Sequence, residues 1–196
     1  MKCMAAVMGI IICLTALAVP ASAEEGDTKE NPVVVMKTNK GDIVIELYPD
    51  KAPITVENFL QYVDAETFNG TIFHRVIRGF MIQGGGYDAE FTKRPTRAPI
   101  KNEAKNGLSN EPGTIAMART NDPNSATAQF FINTANNGPS LDAGGRTGPH
   151  GYAVFGKVTE GYDVVKKIEA VPTGARGPFR QDAPQETVLI ESVTRK

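Results

Sequence analysis

The sequence predicts an all-β domain, built as a closed antiparallel barrel or sandwich. Two observations lead there. Short β-rich runs recur along the chain with turn residues between them. Only two stretches carry a helical period, and these lie far apart with no internal repeat around them.

Taken in order, Val33 to Met36 and Ile43 to Leu47 are β-rich, and Asn39-Lys40-Gly41 between them reads as a hairpin turn. Asp42, Val44 and Glu46 alternate in part with Ile43, Ile45 and Leu47, which gives the second strand one buried face. Pro49-Asp50-Lys51-Ala52-Pro53 ends the hairpin. Val56, Phe59, Leu60 and Val63 then recur at helical spacing, with Pro53 suited to the first turn. Ile72 to Ile77 and Phe80 to Gln83 are further strands, and Gly84-Gly85-Gly86 is expected to make a tight backbone turn. Tyr87 to Pro112, rich in Pro, Asn, Lys and Glu, is mostly loop. Thr114 to Ala118 and Gln129 to Thr134 are strands, separated by the turn cluster Asn121-Asp122-Pro123-Asn124. Asn136 to Gly151 is a glycine-rich excursion and Tyr152 to Val158 a strand. Val164, Val165, Ile168 and Val171 mark the second helix, stopped by Pro172. Glu186 to Val193 alternates as the last strand.

The first residues read as an export signal. Met1-Lys2 is a short positive start, Ala5 to Ala18 is almost unbroken apolar sequence, and Ala21-Ser22-Ala23 is a small-x-small cleavage site. The apolar run is short for a spanning helix, which needs about 20 residues. The chain therefore divides into a signal peptide at 1–23, a mobile lead-in at 24–32 and one domain at 33–196. About 170 mature residues suffice for a sizeable core. The expected location is the periplasm, with no membrane association after cleavage. Both cysteines, Cys3 and Cys13, fall in the leader, so the mature chain has neither disulfide nor thiol chemistry. The leader also carries one of the 21 basic residues and none of the 22 acidic ones, so the formal charge moves from −1 to −2. That balance argues against a nucleic-acid partner.

Within the domain, the run Phe73-His74-Arg75-Val76-Ile77-Arg78-Gly79-Phe80-Met81-Ile82-Gln83 sets an arginine and a glutamine among large apolar residues. Residues two apart share a strand face, so Met81 pairs with Gln83, and Phe73 with Arg75 and Ile77. Phe130 and Phe131 must point oppositely, and at most one belongs to the main core. An arginine, a glutamine and a spare phenylalanine on the outside of a barrel would line an amphipathic groove. The pattern alone equally allows a solvated Arg75 with every phenylalanine in the core. His74, expected on the face opposite Arg75, reads as a packed structural histidine. His74 and His150, far apart in the chain, do not make a metal site.

The segments Asn58-Phe59, Phe73 to Gly85, Gly113 to Ala118 followed by Gln129 to Ile132, and Val154-Phe155-Gly156-Lys157-Val158 occur in an order that resembles the cyclophilin family of peptidyl-prolyl cis-trans isomerases. The resemblance runs from about Val33 to the C-terminus. The export signal and the wording Ile115-Ala116-Met117-Ala118-Arg119 are most similar to the bacterial periplasmic branch. It implies a closed eight-stranded antiparallel barrel capped by two helices. It also implies catalytic roles for Arg75, Gln83 and Phe131, and substrate contacts from Phe80, Met81, Ala118, Arg119, Gln129, Leu141 and Tyr152. The implied substrates are proline-containing unfolded or flexible polypeptides, here exported proteins as they fold. The reaction makes and breaks no covalent bond, so no metal or cofactor is implied, and the default state is a monomer.

The chain departs from the better-known cytosolic members in several places. Ser140 stands at the position of a pocket-rim tryptophan, and the chain has no tryptophan at all, so weak binding of the cyclic peptide cyclosporin is expected. Tyr152 replaces a histidine, and the sequence leaves open whether it or His150 faces the groove. Arg119 replaces an asparagine, and Arg78 a proline whose loss is expected to loosen a turn. A competing function is a non-catalytic proline-peptide binding module or holdase chaperone. A hydrolase has little support, because no serine or threonine stands in a nucleophile motif.

Overall fold

The computed structural model describes Met1 and residues 30–196. Apart from Met1, the signal peptide predicted at 1–23 lies outside the described residues. Among the described residues ten strands are present: β1 (Val33–Thr38), β2 (Gly41–Leu47), β3 (Thr71–Ile77), β4 (Met81–Asp88), β5 (Thr114–Met117), β6 (Phe130–Asn133), β7 (Val154–Glu160), β8 (Thr173–Arg176), β9 (Phe179–Pro184) and β10 (Leu189–Arg195). Eight of them close into one barrel in the order β1-β10-β3-β4-β6-β5-β7-β2. Every pairing is antiparallel, and closure leaves no exposed strand edge to be protected. The other two, β8 and β9, form a separate hairpin.

The barrel closes around an aromatic centre. Phe59 lies 5.0 Å from Phe68, 5.2 Å from Phe155 and 5.7 Å from Phe130, centroid to centroid. Phe130 meets Phe68 and Phe73 edge-on, the geometry that the ring quadrupole favours. Phe59 arrives on α1 (Pro53–Asp64), whose Val56, Leu60 and Val63 enter the same core. The first turn of α1 has no side-chain cap of its own. Glu103, from the long loop, supplies one, accepting from the backbone N–H of Ile54 (3.2 Å) and of Thr55 (2.8 Å) and from the Thr55 hydroxyl. The helix α2 (Gly138–Leu141) is a single turn. The next, α3 (Tyr162–Glu169), buries Val164, Val165 and Ile168 in the barrel core. Among the described residues no helix is long and apolar enough to cross a membrane.

Several expectations need correction. The lead-in is not loose to its end: Asn31 donates to the Glu46 carboxylate, and Pro32 accepts from the N–H of Leu47. Val171 packs against the core from beyond the end of α3. The β8–β9 hairpin was hidden because Thr173 to Pro184, with its glycines, prolines and charges, shows no period-2 apolar pattern.

A further correction concerns Gly84-Gly85-Gly86, which is part of β4 and not a turn. A Cβ at Gly85 would stand 2.8 Å from the Phe130 ring, and one at Gly86 would stand 2.6 Å from the Gln129 carboxamide. These glycines let the strand pass close to bulky neighbours.

The last correction is a bulge in β3 between Phe73 and Arg75. Phe73 and Val76 both enter the barrel core, whereas Ile77 packs on a smaller outer cluster. Phe73 therefore does not share a face with Arg75. A bulge inserts a residue and re-aims those after it.

Candidate active site

Strict alternation on β6 builds the site. Phe130 is fully buried in the barrel core, and its neighbour Phe131 joins Met81, Ala116, Leu141 and Val154 in the outer cluster. That cluster floors a cavity of about 130 Å³ lined by Arg75, Phe80, Met81, Gln83, Ala118, Arg119, Phe131, Leu141 and Tyr152. Nine of the ten residues assigned to the site from sequence thus meet in one place. The tenth, Gln129, stands behind it: its Oε1 accepts from Nε2 of Gln83 at 2.9 Å and so fixes which way the Gln83 amide faces. An engineered apolar cavity of roughly 150 Å³ holds a benzene molecule. A space of this size accommodates one five-membered ring.

Each wall is held from outside. Phe80 follows the turn at Arg78-Gly79, where Gly79 adopts φ +69. The Gly79 N–H donates to Oε1 of Glu169 at 2.8 Å. Burial alone would raise the Glu169 carboxyl, but Lys166 and the Gly79 amide bond its charged form, and it sits below the usual carboxylate range. The turn expected to loosen at Arg78 is therefore pinned by α3. The Phe80 carbonyl accepts from Nδ2 of Asn137 at 2.7 Å and from the Thr134 N–H at 3.0 Å. Leu141 is set by Asp142, whose carboxylate takes hydrogen bonds from Ser109 Oγ and from both nitrogens of Asn110. On the far rim, the Arg119 guanidinium lies 4.4 Å over the Tyr152 ring and donates to the carbonyl oxygens of Gly151 and Thr120. Tyr152 meets Phe131 edge-on at 5.8 Å. Tyr152, not His150, faces the groove.

His150 instead borders a shallower depression of about 860 Å³ with Lys51, Lys101 and Lys105. That space is larger but more open to solvent, and none of the residues assigned to the site from sequence lines it. Ser140 turns away from the groove, its Oγ accepting from Nε (3.0 Å) and Nη2 (2.6 Å) of Arg146.

The family model described as cyclophilin type peptidyl-prolyl cis-trans isomerase/CLD matches residues 33–195. The chain belongs to that family. This cyclophilin is 55% identical over 162 residues to peptidyl-prolyl cis-trans isomerase B of Escherichia coli (strain K12), covering 83% of the chain and 98% of the relative. It is 57% identical over 166 residues to a peptidyl-prolyl cis-trans isomerase of Acinetobacter baylyi, covering 85% and 86%. Among solved structures it is similar to a cyclophilin-type isomerase of Cryptosporidium parvum determined in the presence of the dipeptide Ala-Pro. That likeness has a TM-score of 0.66 and 25% identity, over 84% of this chain and 98% of the other. The isomerase function and the eight-stranded barrel read from the sequence hold, and the two relatives at 55% and 57% identity are bacterial.

Two residues near the site of this cyclophilin escaped the sequence reading. Glu169 reads as a solvated helix residue until α3 is seen to end against the β3–β4 turn. Asp182, on β9, brings Oδ2 to 3.6 Å from Nε of Arg75. His74 is buried as expected, but under β9 and not in the barrel core: its ring stacks on Phe179 at 5.3 Å and meets Tyr87 at 4.9 Å. Burial pushes its pKa down to about 4, helped by the charge of Arg75 and opposed by Ile72 and Gln129.

Proposed function

We propose that this isomerase turns the prolyl ring over on the Phe131 floor while Arg75 stabilises the twisted amide. A peptide C–N bond resists rotation by ~18–20 kcal/mol, and unassisted prolyl isomerisation takes roughly 10–100 s at 25 °C. Twisting breaks conjugation and returns electron density to the prolyl nitrogen. A guanidinium aimed there binds the twisted state better than either planar state, which is the condition for a rate increase. Phe80, Met81, Phe131 and Leu141 hold the ring. Gln83, oriented by Gln129, bonds the substrate backbone, and the strand end at Ala118 and Arg119 offers main-chain partners beside the Tyr152 hydroxyl. No group need be deprotonated or metallated.

The observation that carries this reading is the convergence of Arg75 and Gln83 on an apolar cavity the size of one small ring. The substrates are proline-containing segments of exported proteins, and the location is the periplasm. Both follow from the leader ending at Ala21-Ser22-Ala23. The protein acts as a monomer. Supporting this, among the described residues 30–196, Ile54 is the one large hydrophobic side chain classed as exposed. Cyclosporin binds weakly, because Ser140 faces Arg146 and the rim lacks an indole.

A protease-coupled assay on a short Xaa-Pro peptide tests the reading. Arg75→Ala should lower kcat/KM by about 10²–10³-fold with an unchanged melting temperature. If the wild type turns over no faster than buffer while still binding the peptide, the groove belongs to a holdase and not to an isomerase.

A further inference from the structure

We propose that Asp182 is a positioning residue for Arg75, supplied by the β8–β9 hairpin. The inference rests on the role given to Arg75 above. The hairpin register runs Gly174↔Ala183 and then Arg176↔Phe179, so β9 carries extra residues between its two anchor points. Asp182 lies in that bulge with φ 63, a left-handed conformation that few non-glycine residues adopt but that aspartate tolerates. A bulge beside an active site re-aims a side chain, and here it turns a carboxylate towards Arg75.

Both flanks of the bulge are fixed. On one side Phe179 stacks on buried His74 and meets Tyr87 and Phe91. On the other, Ala183 is fully buried and the Pro184 carbonyl accepts from Nη1 of Arg176 at 2.9 Å. Nη2 of the same arginine donates to the Thr187 hydroxyl at 2.8 Å. The hairpin is thus a braced arm, and Asp182 is where it reaches the catalytic groove.

The contact falls on one edge of the guanidinium. At 3.6 Å from Nε it is an ion pair and not a hydrogen bond. Held by that edge, the planar fork can present its remaining N–H groups to the cavity. The side chains of Arg75 and Asp182 are 40% and 24% exposed, so solvent screens most of their direct attraction. What the pair contributes is orientation, and misorientation of a catalytic group lowers turnover more than it lowers binding.

The test is a double-mutant cycle. Asp182→Asn keeps the shape and the left-handed tolerance and removes the charge. It should lower kcat by about threefold to tenfold with little change in KM. Asp182→Glu should recover part of the loss. In an Arg75→Ala background, Asp182→Asn should have no further effect on the residual rate, followed by NMR exchange between the cis and trans peptide. A general structural role would instead give equal losses in both backgrounds, or a lowered melting temperature in Asp182→Asn. Either result, or a wild-type kcat for Asp182→Asn, overturns the proposal. If Arg75→Ala itself retains wild-type turnover, the assignment of Arg75 has failed, and that outcome is read separately.

Discussion

The two sides of the β4–β6 panel share a backbone and do opposite jobs. Inward, Ile82 and Phe130 are fully buried among rings that meet at 5.5 to 6.1 Å. Outward, Met81 and Phe131 are also nearly buried, yet they stop short of filling their surroundings and leave about 130 Å³ open. A close-packed interior leaves few voids larger than a water molecule. The outer gap exists because polar anchors hold its walls apart: Glu169 behind Phe80, Asp142 behind Leu141 and Arg119 over Tyr152. One residue of sequence offset separates a position that maintains the fold from one that maintains the site.

The sharpest way to break that contrast is to truncate neighbours. Phe130→Ala opens a hole between Phe59, Phe68 and Phe73 and should cost about 3–5 kcal/mol, lowering Tm by about 10 °C or more. Phe131→Ala enlarges a space that already exists. It should cost about half as much stability but lower kcat/KM about tenfold or more. Urea unfolding and the coupled assay on both variants decide the matter. Equal stability losses would show that the outer cluster is core by another name.

A third environment qualifies the simple division into inside and outside. His74 lies outside the barrel core, yet Phe179 and Tyr87 bury it. Its folded pKa of about 4 is below the 6.5 of an ordinary imidazole. Between those values the unfolded chain binds a proton that the folded chain excludes. Stability is therefore full above pH 6.5 and falls as the pH drops towards 4, by about 3 kcal/mol if the whole shift is expressed. In His74→Gln the decline between pH 6.5 and 5, above the range where most carboxylates titrate, should flatten. The same slope in variant and wild type would mean that the histidine is not sealed under the hairpin.

What the sequence revealed follows from the range of the forces involved. Alternation at Phe130-Phe131 is a property of one strand, so it predicted the two faces correctly. Arg75 and Gln83 stood out because they are locally anomalous in an apolar run, but the pattern alone left their role open, and the family resemblance assigned the residues of the groove. His150 and Tyr152 could not be separated, since that depended on the path the 136–151 excursion takes back to β7. The bulge after Phe73 was invisible too, because it arises from pairing with β4 and not from any preference of the residues themselves. Asp182 and Glu169 act on parts of the site roughly a hundred residues earlier in the chain. Nothing local marks a carboxylate as the one that will meet Arg75.

The smallest effect bears on the layer behind the groove. Gly86 has ordinary backbone angles, and its missing Cβ would fall 2.6 Å from the carbon and nitrogen of the Gln129 carboxamide. That obstacle is the flexible end of a side chain, so Gly86→Ala should fold with a loss of under about 1 kcal/mol. Gln129 must then swing away, and Gln83 loses the acceptor at 2.9 Å that sets its amide. A freed amide binds the substrate backbone with an added ordering cost, so KM should rise about twofold to fivefold with kcat nearly unchanged. Gln129→Ala should match it, and combining the two changes should add nothing, since both remove the same restraint. An additive double variant would show that the glycine serves the barrel alone, and that the outer face is positioned without help from the strand behind it.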